Sequence, residues 1–341
     1  MLPPNREHND SSTRRQFLKA AGAATVAATL TPALRTPGAE PRAGAGPDAK
    51  ASDAPAMRIG VLLGTFSRPT FEARLDAVRA AGMDCVQPSL DCAGMAPMPD
   101  EIPAERAERL RRAAADRGIE IVSVQGTFNM SHPDPEHRRA GLRRLKVLAS
   151  ACQGLGTSRI QLCTGTRDPD NMWRRHKDND SPQAWRDMLA CMREAADIAR
   201  QARVVLAFEP EVNNVVDSAK KARRLMDEVG SPHLKVTMDA ANIFHAGELA
   251  RMAEVLDEAF ALVGKDIVLA HAKDLTHDGD AGHAAAGQGK LDYDRYLSLL
   301  LAYGFRGPLL LHGLSEAQVP GCVAFLREKA QAAARQARGK K

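Results

Sequence analysis

Aromatic residues are scarce: Phe, Trp and Tyr make up 4% of the 341 residues, with only two Trp and three Tyr. Stacking platforms for single-stranded nucleic acid are correspondingly few. A formal charge of +5 is small for this length, and no basic tract with interleaved aromatics occurs, so the electrostatic footprint of a nucleic-acid partner is missing. The six cysteines form no Cys-x-x-Cys pair. Cys85, Cys92, Cys152, Cys163, Cys191 and Cys322 lie mostly in apolar stretches and read as buried free thiols rather than a disulfide framework. No Gly-x-Gly-x-x-Gly follows the first strand-like run, which argues against a dinucleotide-binding doubly wound sheet. What is present is 44% hydrophobic and 26% charged residues, enough for a substantial and mainly aliphatic core.

The N-terminus reads as an address. Ser12-Thr13-Arg14-Arg15-Gln16-Phe17-Leu18-Lys19 precedes a modest Ala-rich apolar stretch, Ala20 to Leu30, and resembles the twin-arginine export signal. That stretch is too short for the roughly 20 residues a bilayer requires, so no stable membrane span is expected after processing. The expectation is a signal peptide over residues 1–33, an Ala/Pro/Gly-rich linker over 34–56 that cannot bury enough surface to fold, and one folded domain over 57–335. Export by the twin-arginine machinery would place the protein in the periplasm or otherwise outside the cytoplasm.

Within the folded part, short apolar runs alternate with helix-period segments. The runs are Met57–Leu63, Cys85–Gln87, Glu120–Val124, Ser158–Cys163, Val204–Phe208, Leu234–Met238, Ile267–Ala270 and Pro308–Leu311. The segments between them open on Pro or Asp and often stop at Gly, as at Pro103–Arg117 before Gly118. Eight strand–helix repeats, in a span close to the ~250 residues typical of the fold, predict a single-domain (β/α)₈ TIM barrel of the α/β class.

The last four runs end on metal-ligand side chains: Glu209, Asp239, His271 and His312. In a parallel barrel their carboxyl ends share one mouth, so two carboxylates and two imidazoles would surround a common point suited to a divalent cation. Pro210 holds Glu209 extended. The series Phe208-Glu209-Pro210, Asp239-x-x-Asn242 and His271-x-Lys273-Asp274, with Gly287-Gln288-Gly289 further on, resembles the sugar phosphate isomerase/epimerase family of xylose isomerase-like TIM barrels. The resemblance implies that Glu209, Asp239 and His271 bind metal, that Glu209 doubles as a base, and that Glu211, Asn213, Asn242 and Lys273 lie near substrate.

Two positions depart from that family. A second Glu is usual at the end of the eighth strand, where this chain has His312; the next carboxylate, Glu316, is expected to open the last helix. Asn242 stands where a His is common. Imidazole favours Mn, Co or Zn over Mg, and His312 could also move protons near neutrality. The expected chemistry is isomerisation or epimerisation of a sugar, keto-sugar or cyclitol through a metal-stabilised enediolate, with Glu209 and His312 as the proton-transfer pair. A lyase or dehydratase acting on a 3-keto sugar would need only one base, and a non-catalytic sugar-binding barrel is the third reading. Endonuclease-IV-type repair enzymes share the barrel but need further histidines on early strands, where this chain has Gln87 and Gln125. A long polar loop after the fourth strand carries Trp173 and His176, expected to contact substrate, and Arg167, Arg174 and Arg175, which could hold anionic or polyhydroxy groups; Gln125 could bind a hydroxyl. His132, His245, His277 and His283 are expected to be surface or loop residues, and a homo-oligomer is possible.

Overall fold

Branched and aliphatic residues concentrate in runs too short to be helices, and each run folds as a parallel strand covered by the helix that follows it. The computed structural model describes residues 57–339; the expected signal peptide and linker lie outside the described residues. The strands are β1 (Ile59–Leu62), β2 (Cys85–Gln87), β3 (Glu120–Ile121), β4 (Val124–Gln125), β5 (Arg159–Cys163), β6 (Val205–Glu209), β7 (Leu234–Asp239), β8 (Ile267–Asp274), β9 (Ala284–Ala285) and β10 (Leu309–Leu311). The helices are α1 (Phe71–Ala80), α2 (Ala104–Ala115), α3 (Pro135–Leu155), α4 (Pro182–Ala202), α5 (Ala219–Val229), α6 (Met252–Val263), α7 (Tyr293–Ala302) and α8 (Val319–Gly339).

The sheet runs β3-β2-β1-β10-β8-β7-β6-β5-β4, with every pairing along it parallel. Its ends, β3 and β4, are the two halves of one expected strand: Glu120–Ile121 pairs with β2, and Val124–Gln125 pairs with β5. The barrel therefore closes through the chain itself, at Val122-Ser123. Buried Ser123 bridges the break by donating to Gln87 Oε1 at 2.8 Å. A second departure is β8, which does not stop at Ala270. It continues to Asp274 because Lys273 and Asp274 pair antiparallel with β9.

Helix boundaries follow their capping chemistry. Thr70, Asp134, Ser181, Ser218 and Asp292 each accept a backbone amide as N-caps, and α3 and α4 begin on Pro. Most of the core lies between strands and helices, while a smaller cluster of Leu62, Cys85, Val122 and Leu310 is separate from it. All six cysteines are buried and unpaired. Burial pushes the thiols of Cys85, Cys152 and Cys191 up to about 12.

Gly60 has no room for a side chain: a Cβ there would lie 2.5 Å from the Cys85 carbonyl and 2.7 Å from Leu310. Gly60→Ala is expected to destabilise the barrel by about 1–3 kcal/mol through overpacking. Urea unfolding should show this as a lower midpoint with an unchanged slope.

Candidate metal centre

Strand register brings the four ligand side chains together. Asp239 pairs directly with His271, and His271 pairs with Leu310, two residues before His312. Because side chains alternate across a strand, His271 and Lys273 share one face of β8, whereas Asp274 points to the other. One ligand atom from each of Glu209, Asp239, His271 and His312 lies within 4.8 Å of all the others. His271 Nδ1 is 3.3 Å from Glu209 Oε2 and 3.9 Å from Asp239 Oδ2, and His312 Nδ1 is 3.5 Å from Asp239 Oδ2.

The supporting contacts orient these groups. Glu209 Oε1 accepts from Asn242 Nδ2 at 2.5 Å and Oε2 from Gln161 Nε2 at 3.1 Å; Gln161 in turn accepts from Thr127. Asn242 Oδ1 accepts the Gly282 amide. Asp239 Oδ1 accepts the Ala241 amide, which leaves Oδ2 facing the cluster. Behind the strands, Tyr293 donates to the Lys273 carbonyl, and the Tyr296 hydroxyl lies within reach of the Met238 and His271 carbonyls. Two of the chain's three tyrosines thus brace the strands that carry the cluster.

Three ligand atoms are buried without a hydrogen-bond partner: Asp239 Oδ2, His271 Nδ1 and His312 Nδ1. Unpartnered buried polar atoms are costly, and here all three border the same space. Charge leads to the same conclusion. Glu209, Glu211 and Asp239 are buried beside the single ammonium of Lys273, 3.6 Å from Asp239. Burial alone would push the Glu209 carboxyl up, yet the His271 imidazole draws it below its ordinary value. Asp239, likewise opposed by burial, is held low by Lys273 and His312. Glu211 is pushed up to about 8, by burial first and then by the charge of Glu209. The donor set, two carboxylates and two imidazoles, fits a divalent cation.

The cluster opens into a cavity of about 390 Å³. Its walls include Ser89, Gln125, Thr127, Gln161 and Glu211 on the polar side, and Leu62, Pro97, Met98, Met172 and Trp173 on the apolar side. His312 lines it with 32% of its side chain exposed, although its Nδ1 is buried. Trp173, at 49%, is the exposed large hydrophobic side chain of the described residues.

Of the residues expected near substrate, Glu211, Gln125 and Trp173 line this cavity. The others have structural partners instead. Asn213 donates to Asp280 Oδ1 at 2.6 Å, Asn242 ties Glu209 to Gly282, and Lys273 faces Asp239. His176 stands apart from the cavity, its Nδ1 accepting the Asp178 amide as a helix N-cap. The loop arginines are also engaged: Arg167 with Asp187, Arg174 with Asp168, and Arg175 with Asp180 and Asp217. His132 lies in a loop, where it is buried and bonds the Pro169 carbonyl. Glu316 is paired with Arg68 and does not enter the cluster. Neither Gln161 nor Gln87 carries a site role assigned from the sequence, yet both are buried. Their signal is a polar amide within a strand whose neighbours are all apolar, a burial that requires partners.

The profile of the Xylose isomerase-like TIM barrel family matches residues 75–336, and the profile of the twin-arginine translocation signal matches residues 11–31. The protein is accordingly exported by the twin-arginine pathway. The L-ribulose-5-phosphate 3-epimerase UlaE of Escherichia coli is 25% identical over 247 residues, covering 71% of this chain and 82% of its own length. The apo structure of the 3-keto-D-glucoside 4-epimerase YcjR from E. coli superposes with a TM-score of 0.62 at 18% identity, covering 80% of this chain and 99% of that one. A xylose isomerase-like TIM barrel protein from Mycobacterium smegmatis, in complex with magnesium, superposes with a TM-score of 0.62 at 19% identity, covering 82% and 99%.

Proposed function

The chain belongs to the Xylose isomerase-like TIM barrel family, and from that premise we propose that it is an exported, divalent-metal-dependent epimerase or isomerase acting on a sugar, keto-sugar or cyclitol. The mature protein would be the barrel of residues 57–335, preceded by the linker of residues 34–56 once the signal of residues 1–33 is removed. The observation that carries the reading is the set of three partnerless ligand atoms, on Asp239, His271 and His312, beside Glu209 at the floor of a cavity.

Glu209, Asp239, His271 and His312 would hold the ion, with Mn, Co or Zn favoured by the paired imidazoles. When bound, a divalent ion supplies Lewis-acid stabilisation of negative charge on substrate oxygens. Glu209 takes the proton from the carbon next to the substrate carbonyl, its carboxylate aimed by Asn242 and Gln161. For epimerisation a proton must return on the opposite face of that carbon, and His312, on the cavity wall, is the group assigned to it. Glu211 and Gln125 bind hydroxyls, and Lys273 fixes Asp239.

One observation favours a second reading. His312 replaces the second carboxylate, and a lyase acting on a 3-keto sugar needs only the base Glu209. Incubating the Mn-loaded protein with 3-keto-sugars in D₂O separates the two. Epimerisation gives a product deuterated at the inverted carbon, whereas elimination gives an unsaturated ketone absorbing in the ultraviolet. Neither product, from a protein that has bound metal, would leave the non-catalytic sugar-binding barrel as the surviving reading.

A further inference from the structure

Phosphate groups are held in proteins by Arg and Lys side chains, by glycine-rich amide nests and by helix N-termini. In TIM barrels the usual place is the pair of loops after the seventh and eighth strands. Here the amide nest of the seventh loop and the helix start of the eighth are taken up by groups of the protein itself, while Lys290 stands exposed at the surface. In the seventh loop, the Gly287 amide donates to Asp274 Oδ2, while the Leu275 and Leu291 amides donate to Oδ1 at 2.8 and 2.9 Å. Gly289 packs so closely on that carboxylate that a Cβ would lie 2.3 Å from Oδ1. In the eighth loop, Ser315 and Gln318 form a reciprocal capping box at the helix start, and Glu316 takes up Arg68. The three arginines of the loop above the mouth are paired with Asp187, Asp168, Asp180 and Asp217. Among the described residues, no Lys or Arg lines the cavity.

The outer wall has the opposite character. Pro97, Met98, Met172 and Trp173 form an apolar rim above the polar floor of Gln125, Thr127, Gln161 and Glu211. The floor offers hydrogen bonds to one hydroxylated ring, and the rim offers apolar contact to something attached to that ring. A phosphate at the rim would meet no Lys or Arg side chain, and on the floor it would lie against the buried Glu211 carboxylate.

We infer that the substrate is an uncharged glycoside: a phosphate-free sugar ring seated on the floor, carrying an apolar or flat-faced substituent that packs on Met98, Met172 and Trp173. This rests on the sugar-epimerase reading above and narrows it to one substrate class.

Trp fluorescence of the Mn-loaded protein tests the inference as a binding measurement, without turnover. Trp185 is buried under Arg224 and bonded to Glu228, so the response to ligands at the mouth comes from Trp173. The probes are phenyl β-D-glucoside, methyl β-D-glucoside, D-glucose and D-glucose 6-phosphate. The phenyl glucoside is expected to bind at least tenfold more tightly than the methyl glucoside, and glucose 6-phosphate no more tightly than glucose. In Trp173→Ala, with binding followed by calorimetry, the phenyl-over-methyl ratio is expected to fall at least fivefold. Tighter binding of the phosphate, an unchanged ratio in the variant, or no glycoside binding at all would each overturn the inference. Failure of the parent reading has another signature: glycosides bind as described, yet no keto-sugar exchanges deuterium or changes configuration.

Discussion

Glu209→Gln is expected to slow deuterium exchange from D₂O into a bound keto-sugar by about 10²–10⁴-fold, the usual contribution of a positioned general base. The site makes this substitution a searching one. Both carboxylate oxygens of Glu209 accept from amide donors, Asn242 Nδ2 and Gln161 Nε2. Whichever way the new amide turns, its NH₂ faces one of those donors, at a cost of about 1–3 kcal/mol. A thermal melt of the metal-free variant therefore accompanies the kinetics. A folded barrel with exchange reduced as stated supports Glu209 as the base. Exchange at the wild-type rate in a folded variant would remove Glu209 from the chemistry and transfer the proton to His312 or Glu211.

The second large effect is on stability. The cluster buries three carboxylates beside one lysine and leaves three ligand atoms without partners, so it contributes strain until a cation enters. Manganese at a thousand times its Kd is expected to stabilise the folded state by about 4 kcal/mol, raising Tm by roughly 8 °C for a domain of this size. His312→Ala should lower both the bound metal and the gain in Tm. It removes a ligand but no carboxylate, so Mg should replace Mn more readily in the variant than in the wild type. Equal metal content and an equal Tm gain in wild type and variant would leave a three-ligand site of Glu209, Asp239 and His271. No Tm gain and no bound metal in the wild type would argue against the enediolate chemistry altogether.

Much of the barrel was legible because each strand and each cap is written locally. Pro135 and Leu155 bound α3 because the Asp134 cap, an N-terminal Pro and the trailing Gly156 are all local to that segment. The four-ligand cluster was legible for a related reason. A polar residue that ends a buried run reaches the mouth in any parallel barrel, whatever its neighbours are. The partners of loop side chains were not legible. Asn213 meets Asp280 across 67 positions and Arg167 meets Asp187 across 20, and nothing near either arginine or asparagine indicates which carboxylate the fold will deliver. The same holds for the split third strand. Ser123 is the one interruption in the apolar residues Ile121, Val122 and Val124, and a single hydroxyl does not indicate that the halves serve opposite edges of the sheet.

The six sealed thiols carry information about time. Oxidants outside the cytoplasm act on cysteines they can reach as thiolates. A chain threaded through a membrane unfolded would present Cys85, Cys92, Cys152, Cys163, Cys191 and Cys322 to them before any strand had formed. Export by the twin-arginine route delivers a finished barrel, and in that barrel every sulfur is already enclosed. The protein can therefore work in an oxidising compartment with a reduced interior, protected by having folded first.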